Sequence, residues 1–176
     1  MLVYFFRHGE TEWNNLGKIN GLSDIALSQS GREKTYIVKK EISKISFDKV
    51  YSSPLSRAVE TAEILLDCDA DKIIKCKEII ERDFGVLEGR KMSTFSIDEL
   101  EEVSESHMKI YRRVMKFMKT VVKENDKDSV CMVVSHRAVL RHVHSYITRD
   151  EYQTFDINNL EFFVAEYDDN NQWNIV

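Results

Sequence analysis

No apolar run in this chain approaches the roughly 18 residues of a membrane span. The N-terminal run Leu2-Val3-Tyr4-Phe5-Phe6 is too short for a signal peptide and lacks its basic flank, so a cytoplasmic location with no membrane partner is expected. Cysteine is scarce: Cys68, Cys76 and Cys131 are odd in number, widely spaced and set in apolar or strand-like surroundings. Neither a disulfide framework nor a zinc site is suggested by that pattern. The only proline is Pro54, all six glycines fall at or before residue 89, and there is no linker, repeat or low-complexity tract. No basic stripe stands out: the net charge is −5, with both signs mixed along the chain, which argues against nucleic acid or an anionic membrane as the main partner. At 176 residues the chain reads as one domain, residues 1–176. A chain of that size buries roughly 70% of its unfolded surface and needs neither a disulfide nor a metal to hold together.

What is present is an alternation of strands and helices. The first strand is the run Leu2 to Phe6, apolar throughout and therefore read as buried on both faces. A loop from Glu10 to Leu27 follows, and Ser28 is placed to cap a helix reaching about Ile42, with Ile37 and Ile42 toward the core and Gly31 weakening its first turn. Phe47 to Ser52 is the second strand. Ser53 as N-cap and Pro54 at the first helical position then open a helix to about Asp67, with Leu55, Val59, Ala62, Leu65 and Leu66 on one face. Ile73 to Ile80 reads as a third strand, leading into the carboxylate-rich loop Glu81 to Gly89. A helical stretch from about Ile97 breaks near Ser104 to Ser106, and Met108, Tyr111, Met115, Met118 and Val122 form its core stripe. Val130 to Ser135 is the fourth strand, Arg137 to Ile147 a helix, and Glu161 to Val176 a terminal hairpin. The pattern predicts an α/β fold, a three-layer α/β/α sandwich with a mostly parallel central sheet.

Chemistry collects where these elements end. Arg7 and His8 follow the first strand, Arg57 lies in the first turn after the second, and His136 follows the fourth. Four potential cations gathered together repel one another unless something anionic sits between them. Phosphate suits the set, because arginine offers it paired hydrogen bonds and a helix N-terminus adds a favourable dipole. Asn14 and the amides near Gly9 can complete the cradle. A neutral imidazole in line with phosphorus is a competent nucleophile, and Glu81 can protonate the leaving oxygen if burial raises its pKa. Asp83 and Glu88 stand close enough in sequence to take that acid role instead.

Five motifs occur in order: Arg7-His8-Gly9-Glu10-Thr11 with Trp13-Asn14; Leu27-Ser28-Gln29-Ser30-Gly31-Arg32; Tyr51-Ser52-Ser53-Pro54-Leu55-Ser56-Arg57-Ala58 with Thr61-Ala62; Glu81 with Gly85 and Glu88-Gly89; and Val134-Ser135-His136. Together they resemble the histidine phosphatase superfamily in its cofactor-dependent phosphoglycerate mutase-like branch, over residues 1 to about 146. The resemblance implies that His8 is phosphorylated, that Arg7, Arg57 and His136 bind the phosphoryl oxygens with help from Asn14, and that Glu81 is the acid and base. No metal and no bound cofactor are implied. Asn20, Gly21, Glu105, Ser106 and Arg137 are expected to contact substrate, while His107, His142 and His144 are read as surface or packing residues. Whether Arg113 and Arg141 line the mouth is open.

Two features depart from the family. Arg137 stands where the family usually has glycine, and it either faces the pocket as a further cation or points outward. The lid insertion, at about 90–106, is short: fifteen residues, Arg90 to Ser104, separate Gly89 from Glu105. A short lid leaves water free to reach a phosphohistidine, which favours a metal-independent phosphomonoester hydrolase acting on a small phosphorylated metabolite. The alternatives are a cofactor-dependent phosphoglycerate mutase and a phospho-ligand-binding regulatory domain with weak catalysis.

Overall fold

The apolar N-terminal run forms a strand near the middle of a six-stranded sheet, in a computed structural model that describes residues 1–176. In chain order the elements are β1 (Leu2–Arg7), α1 (Glu12–Asn15), α2 (Gln29–Ile42), β2 (Lys49–Ser52), α3 (Ser56–Leu66), β3 (Ile74–Lys75), α4 (Ile97–Val103), α5 (His107–Glu124), β4 (Val130–Ser135), α6 (Arg137–Thr148), β5 (Phe162–Tyr167) and β6 (Trp173–Ile175). The sheet order is β3-β2-β4-β1-β5-β6. β3, β2, β4 and β1 run parallel, and β5 and β6 close one edge as an antiparallel hairpin.

Alternate residues of the central strands build two cores, as the two-residue period of a strand requires. Val3 and Phe5 of β1 with Cys131 and Val133 of β4 pack beneath α5 and α6. Phe6, Met132 and Val134 point the other way, against α2 and α3. The three-layer α/β/α fold expected from the alternation is the one observed. No helix is long and apolar enough to cross a membrane.

Several local expectations are corrected. The loop after β1 contains a one-turn helix, α1, held by a capping box in which Thr11 and Asn14 bond reciprocally. The second strand starts at Lys49 rather than Phe47, because Asp48 spends its amide and carboxylate on Val130. The third strand shrinks to Ile74–Lys75, and Lys77–Ile79 is a 3₁₀ turn. Ile37 lies exposed on α2, whose inward face is Gly31, Thr35 and Ile42. On α5 the buried stripe is Ile110, Val114, Phe117, Met118 and Val121, while Met108 is exposed. Flanking apolar residues obscured the true face.

The same helix carries an exposed basic stripe, Lys109, Arg112, Lys116, Lys119 and Lys123, which the whole-chain charge balance concealed. The α3 correction bears on the site. α3 begins at Ser56, not Pro54, because Asp24 Oδ1 caps it from a distant loop, accepting from Ser56 N at 2.7 Å and Ser56 Oγ at 2.8 Å. A tertiary cap thus frees Ser53 for other use.

Candidate active site

Register places the two histidines. β1 and β4 pair in parallel with Arg7 opposite Ser135, so the next residues, His8 and His136, leave adjacent strands side by side. Their ring centroids are 5.0 Å apart, the spacing of neighbouring strands. Both lie at the carboxyl ends of parallel strands, where open α/β sheets form their crevices. His8 N donates to Ser135 O at 3.0 Å, and Gly9 N donates to Thr61 Oγ1 at 2.9 Å, tying the strand end to α3.

The protein assigns each imidazole its tautomer. His8 Nδ1 lies 2.6 Å from Gly9 O, a carbonyl that can only accept, so Nδ1 carries the proton and Nε2 the lone pair. At His136 the anchored nitrogen is the other one, Nε2. Ser53 is buried and accepts from Leu55 N at 3.3 Å, and the one acceptor its hydroxyl hydrogen reaches is His136 Nε2, 2.7 Å away, so the hydroxyl donates to Nε2 and His136 carries its proton on Nδ1. His136 Nδ1 is buried with no protein partner. Burial holds both imidazoles well below the ordinary histidine pKa. Next in effect is Arg57 at each, followed by Arg7 at His8 and by His8 and Arg7 at His136. Both rings are neutral near pH 7.

Arg57 is fully buried, and its head is aimed by two carbonyls: Nη1 donates to Ser23 O at 2.9 Å and Nη2 to Gly21 O at 2.7 Å. Arg7 Nη1 donates to Ile157 O at 2.8 Å. Burial lowers the Arg7 pKa to about 10 against the opposing pull of Glu81, which still leaves it charged at neutral pH. The Nε atoms of both arginines are buried without protein partners. Two guanidinium N–H groups and one imidazole N–H are therefore unpaired inside the protein, a donor set suited to a tetrahedral anion.

Glu81 is buried, and burial raises its pKa against the pull of Arg82 N, Arg57, Arg7 and Arg113. Its backbone is clamped by Arg113, which donates to the carbonyls of Glu78 (2.8 Å), Ile80 (2.6 Å) and Glu81 (3.3 Å) and pairs with Glu105 at 2.9 Å. Asp83 spends Oδ1 on Gly85 N. Glu88 accepts from Leu22 N and Ser23 N, both at 2.7 Å, and from Ser23 Oγ at 2.5 Å. Burial pushes Glu88 up, but these bonds outweigh it and hold its pKa below the usual value. Glu88 thereby secures the loop whose carbonyls aim Arg57.

A cavity of about 590 Å³ opens beside this cluster, lined by Arg7, His8, Asn14, Asn20, Glu81 and Arg137 among others. Asn14 is held by Thr11, whose amide donates to Asn14 Oδ1 at 3.0 Å. Asn20 donates from Nδ2 to Thr11 Oγ1 at 3.0 Å. Gly21 lies outside the cavity lining; its carbonyl serves Arg57, and Glu88 packs so closely that a Cβ there has no room. Glu105 and Ser106 also lie outside it, Glu105 being engaged with Arg113 and Ser106 forming the cap position of α5. Arg141 lines the mouth, and Arg113 does not. Arg137 reaches the cavity wall but is bound by both prongs to Asp156, at 2.7 and 2.6 Å.

His107 and His142 pack as expected, stacking with Tyr152 at ring separations of 4.1 and 4.8 Å, and both also line the cavity, which the sequence did not indicate. His144 does pack, against Phe155. Over the mouth, Arg82 bonds Glu101 of α4 at 3.0 and 2.8 Å, fastening that helix to the Glu81 loop. Missed from sequence were Ser53, read as a cap; Asp24, a distant cap; and Asn159, whose Nδ2 donates to His8 O at 2.8 Å. Only the Asn158-Asn159 pair offered a signal, as turn chemistry.

Paired imidazoles and buried arginines thus meet at the strand ends of this α/β sheet, an arrangement suited to holding an anion. The chain matches the histidine phosphatase superfamily (branch 1) over residues 3–176 and belongs to that superfamily, whose members here include phosphatases and mutases. Phosphoserine phosphatase 1 of Hydrogenobacter thermophilus is 33% identical over 149 residues, covering 77% of this chain and 70% of that protein. A probable phosphoglycerate mutase, GpmB, of Erwinia tasmaniensis is 37% identical over 97 residues, covering 55% of this chain and 45% of that protein, so the match spans less than half of that relative. A variant of phosphoserine phosphatase from Entamoeba histolytica, in complex with phosphoserine, superposes with a TM-score of 0.87 at 25% identity, covering 99% of this chain and 94% of that one.

Proposed function

We propose that this chain is a metal-independent phosphomonoester hydrolase that works through a phosphohistidine on His8, with a small phosphorylated metabolite as substrate. The observation that carries the reading is the tautomer of His8: Nδ1 bonded to Gly9 O leaves the Nε2 lone pair free on a neutral, buried ring. In the first step that lone pair attacks phosphorus, the phosphorus–oxygen bond to the leaving group breaks, and protonated Glu81 supplies the proton to the departing oxygen. The Nε donors of Arg7 and Arg57 and His136 Nδ1 meet the charge on the phosphoryl oxygens. In the second step water attacks phosphorus, the nitrogen–phosphorus bond breaks, and Glu81 takes the proton from water. The elevated Glu81 pKa suits both roles.

The phosphoserine and phosphoglycerate relatives support a small phosphorylated substrate. The mutase reading, favoured by the phosphoglycerate mutase relatives, differs only in passing the phosphoryl group to a second alcohol instead of water. The short segment 90–106 favours water. Incubation with 3-phosphoglycerate and a bisphosphoglycerate primer tests this. Free phosphate forming faster than isomer supports the hydrolase, and the reverse supports the mutase. Retention of phosphorylated ligand with no turnover would instead support a binding module. A screen over a panel of phosphometabolites then identifies the substrate.

A further inference from the structure

Residues 149–161 join α6 to β5 without regular structure, yet their bonds converge on the end of β1. Leu160 N donates to Arg7 O at 3.1 Å, Arg7 N to Glu161 O at 3.0 Å, and Asn159 Nδ2 to His8 O at 2.8 Å. Ile157 contributes the one protein acceptor bonded to the Arg7 guanidinium, its carbonyl, 2.8 Å from Nη1. What fixes that carbonyl is local. The Ile157 side chain is buried in the core, and Ile157 N donates to Asp156 Oδ1 at 2.9 Å. The same carboxylate is gripped by Arg137 through Nε at 2.7 Å and Nη2 at 2.6 Å.

We infer that Arg137 is a positioning residue for Arg7: by holding the Asp156 carboxylate it fixes the backbone at Ile157, whose carbonyl orients the Arg7 guanidinium. The inference rests on the phosphatase reading only for its effect on turnover. Geometry favours it over direct substrate binding, since both carboxylate-facing prongs of Arg137 are already engaged. A glycine at residue 137 supplies no such grip. The pair is about half exposed, with side-chain exposures of 48% and 57%, so its value as a stabilising ion pair is small and its effect is one of aim. Removing it lets an arginine at the phosphoryl site drift, and misplacement on the ångström scale costs enzymes up to about a hundredfold.

The test is a mutant cycle with Arg137→Ala, Asp156→Ala and the double variant, read with p-nitrophenyl phosphate, with a bis-anionic phosphomonoester, and by inhibition with orthovanadate. Each single variant is expected to lose on the order of tenfold in kcat. The loss should be equal on both substrates, with a matching rise in the vanadate inhibition constant and a smaller change in KM. The double variant should be no worse than either single, because all three break one link. If Asp156→Ala does not fold, Asp156→Asn and Arg137→Gln give the same comparison. Arg137→Ala harming only the bis-anionic substrate, with Asp156→Ala neutral or improved, would overturn the inference and make Arg137 a substrate ligand. Additive losses or no losses would overturn it too. Failure of the phosphatase reading shows separately, as wild-type protein that never takes label on His8. Direct titration of vanadate binding then still reports whether the anion site loses affinity in the variants.

Discussion

His8 and His136 stand 5.0 Å apart with their ring planes tilted by 59°, and the protein anchors them through opposite ring nitrogens. One is anchored through Nδ1 to Gly9 O and the other through Nε2 to Ser53 Oγ. A nucleophile and a neutral donor are thus made from the same side chain by two different anchors. His8→Ala is expected to abolish turnover with the fold intact, since its contacts lie at a strand end. Phosphate trapped from labelled substrate should be acid-labile and located on His8; acid-stable label would refute the phosphohistidine route. Ser53→Ala frees the His136 tautomer and should lower kcat by on the order of tenfold while leaving label on His8.

Glu88 is expected to matter without taking part in proton transfer. Its carboxylate holds Leu22 and Ser23, and the neighbouring carbonyls of Gly21 and Ser23 aim Arg57. Glu88→Ala leaves those amides unpaired and should cost about 1–3 kcal/mol in urea unfolding, together with weaker phosphate binding. A Glu88→Ala enzyme of normal stability but altered basic pH limb would make Glu88 the acid after all.

The activity profile should be bell-shaped and displaced to acid pH. His8 must be neutral, and its pKa lies well below 6.5, which sets the acid limb. Glu81 must be protonated in the first step, and its pKa is raised above 4.5, which sets the alkaline limb. Glu81→Gln should remove the alkaline limb and harm alkyl phosphates more than aryl phosphates, whose leaving oxygen needs little help. Equal loss on both classes would mark Glu81 as structural.

Stability should fall as the medium is acidified below the histidine range. Burial holds the His142 pKa at about 4, against the bond to Ala138 O, below the ordinary 6.5. A depressed folded-state pKa means that the unfolded chain takes up the proton first. The contribution is complete above pH 6.5 and lost as pH falls toward 4, at most about 3 kcal/mol. His8 and His136 act in the same direction. Urea midpoints that stay level from pH 7 to pH 4.5 would contradict this.

Gly31→Ala is expected to destabilise, although alanine is the better helix former by about 1 kcal/mol. A Cβ at Gly31 collides with the backbone carbonyl of Glu10, two residues beyond His8. The loss should exceed about 1 kcal/mol in thermal or urea melts and be accompanied by reduced activity. A rise in melting temperature would show that the Glu10 loop yields.

Much was legible in order along the chain. The apolar runs Leu2 to Phe6 and Val130 to Ser135 announced buried parallel strands, because a strand covered on both faces admits few polar residues. Ser28 announced α2 by local capping chemistry. Both strands deliver a histidine at the next position, so the candidate residues at strand ends were readable from spacing alone. Partnership across the fold was not. Asp24 caps α3 from a distant loop and releases Ser53, a trade written in neither local sequence. Glu88 looked like one more loop carboxylate, and only the folded loop shows it holding Ser23. Whether Arg137 faced the pocket or pointed outward was undecided in sequence, and the loop after α6 settles its partner by bringing Asp156 against it. Sequence pattern determined which elements form and which chemical groups reach their ends, since both follow from short-range periodicity and turn chemistry. Tertiary structure alone decided the His136 tautomer, the aim of Arg57 and the pKa shifts, because each depends on a hydrogen bond or a buried charge supplied from elsewhere in the chain.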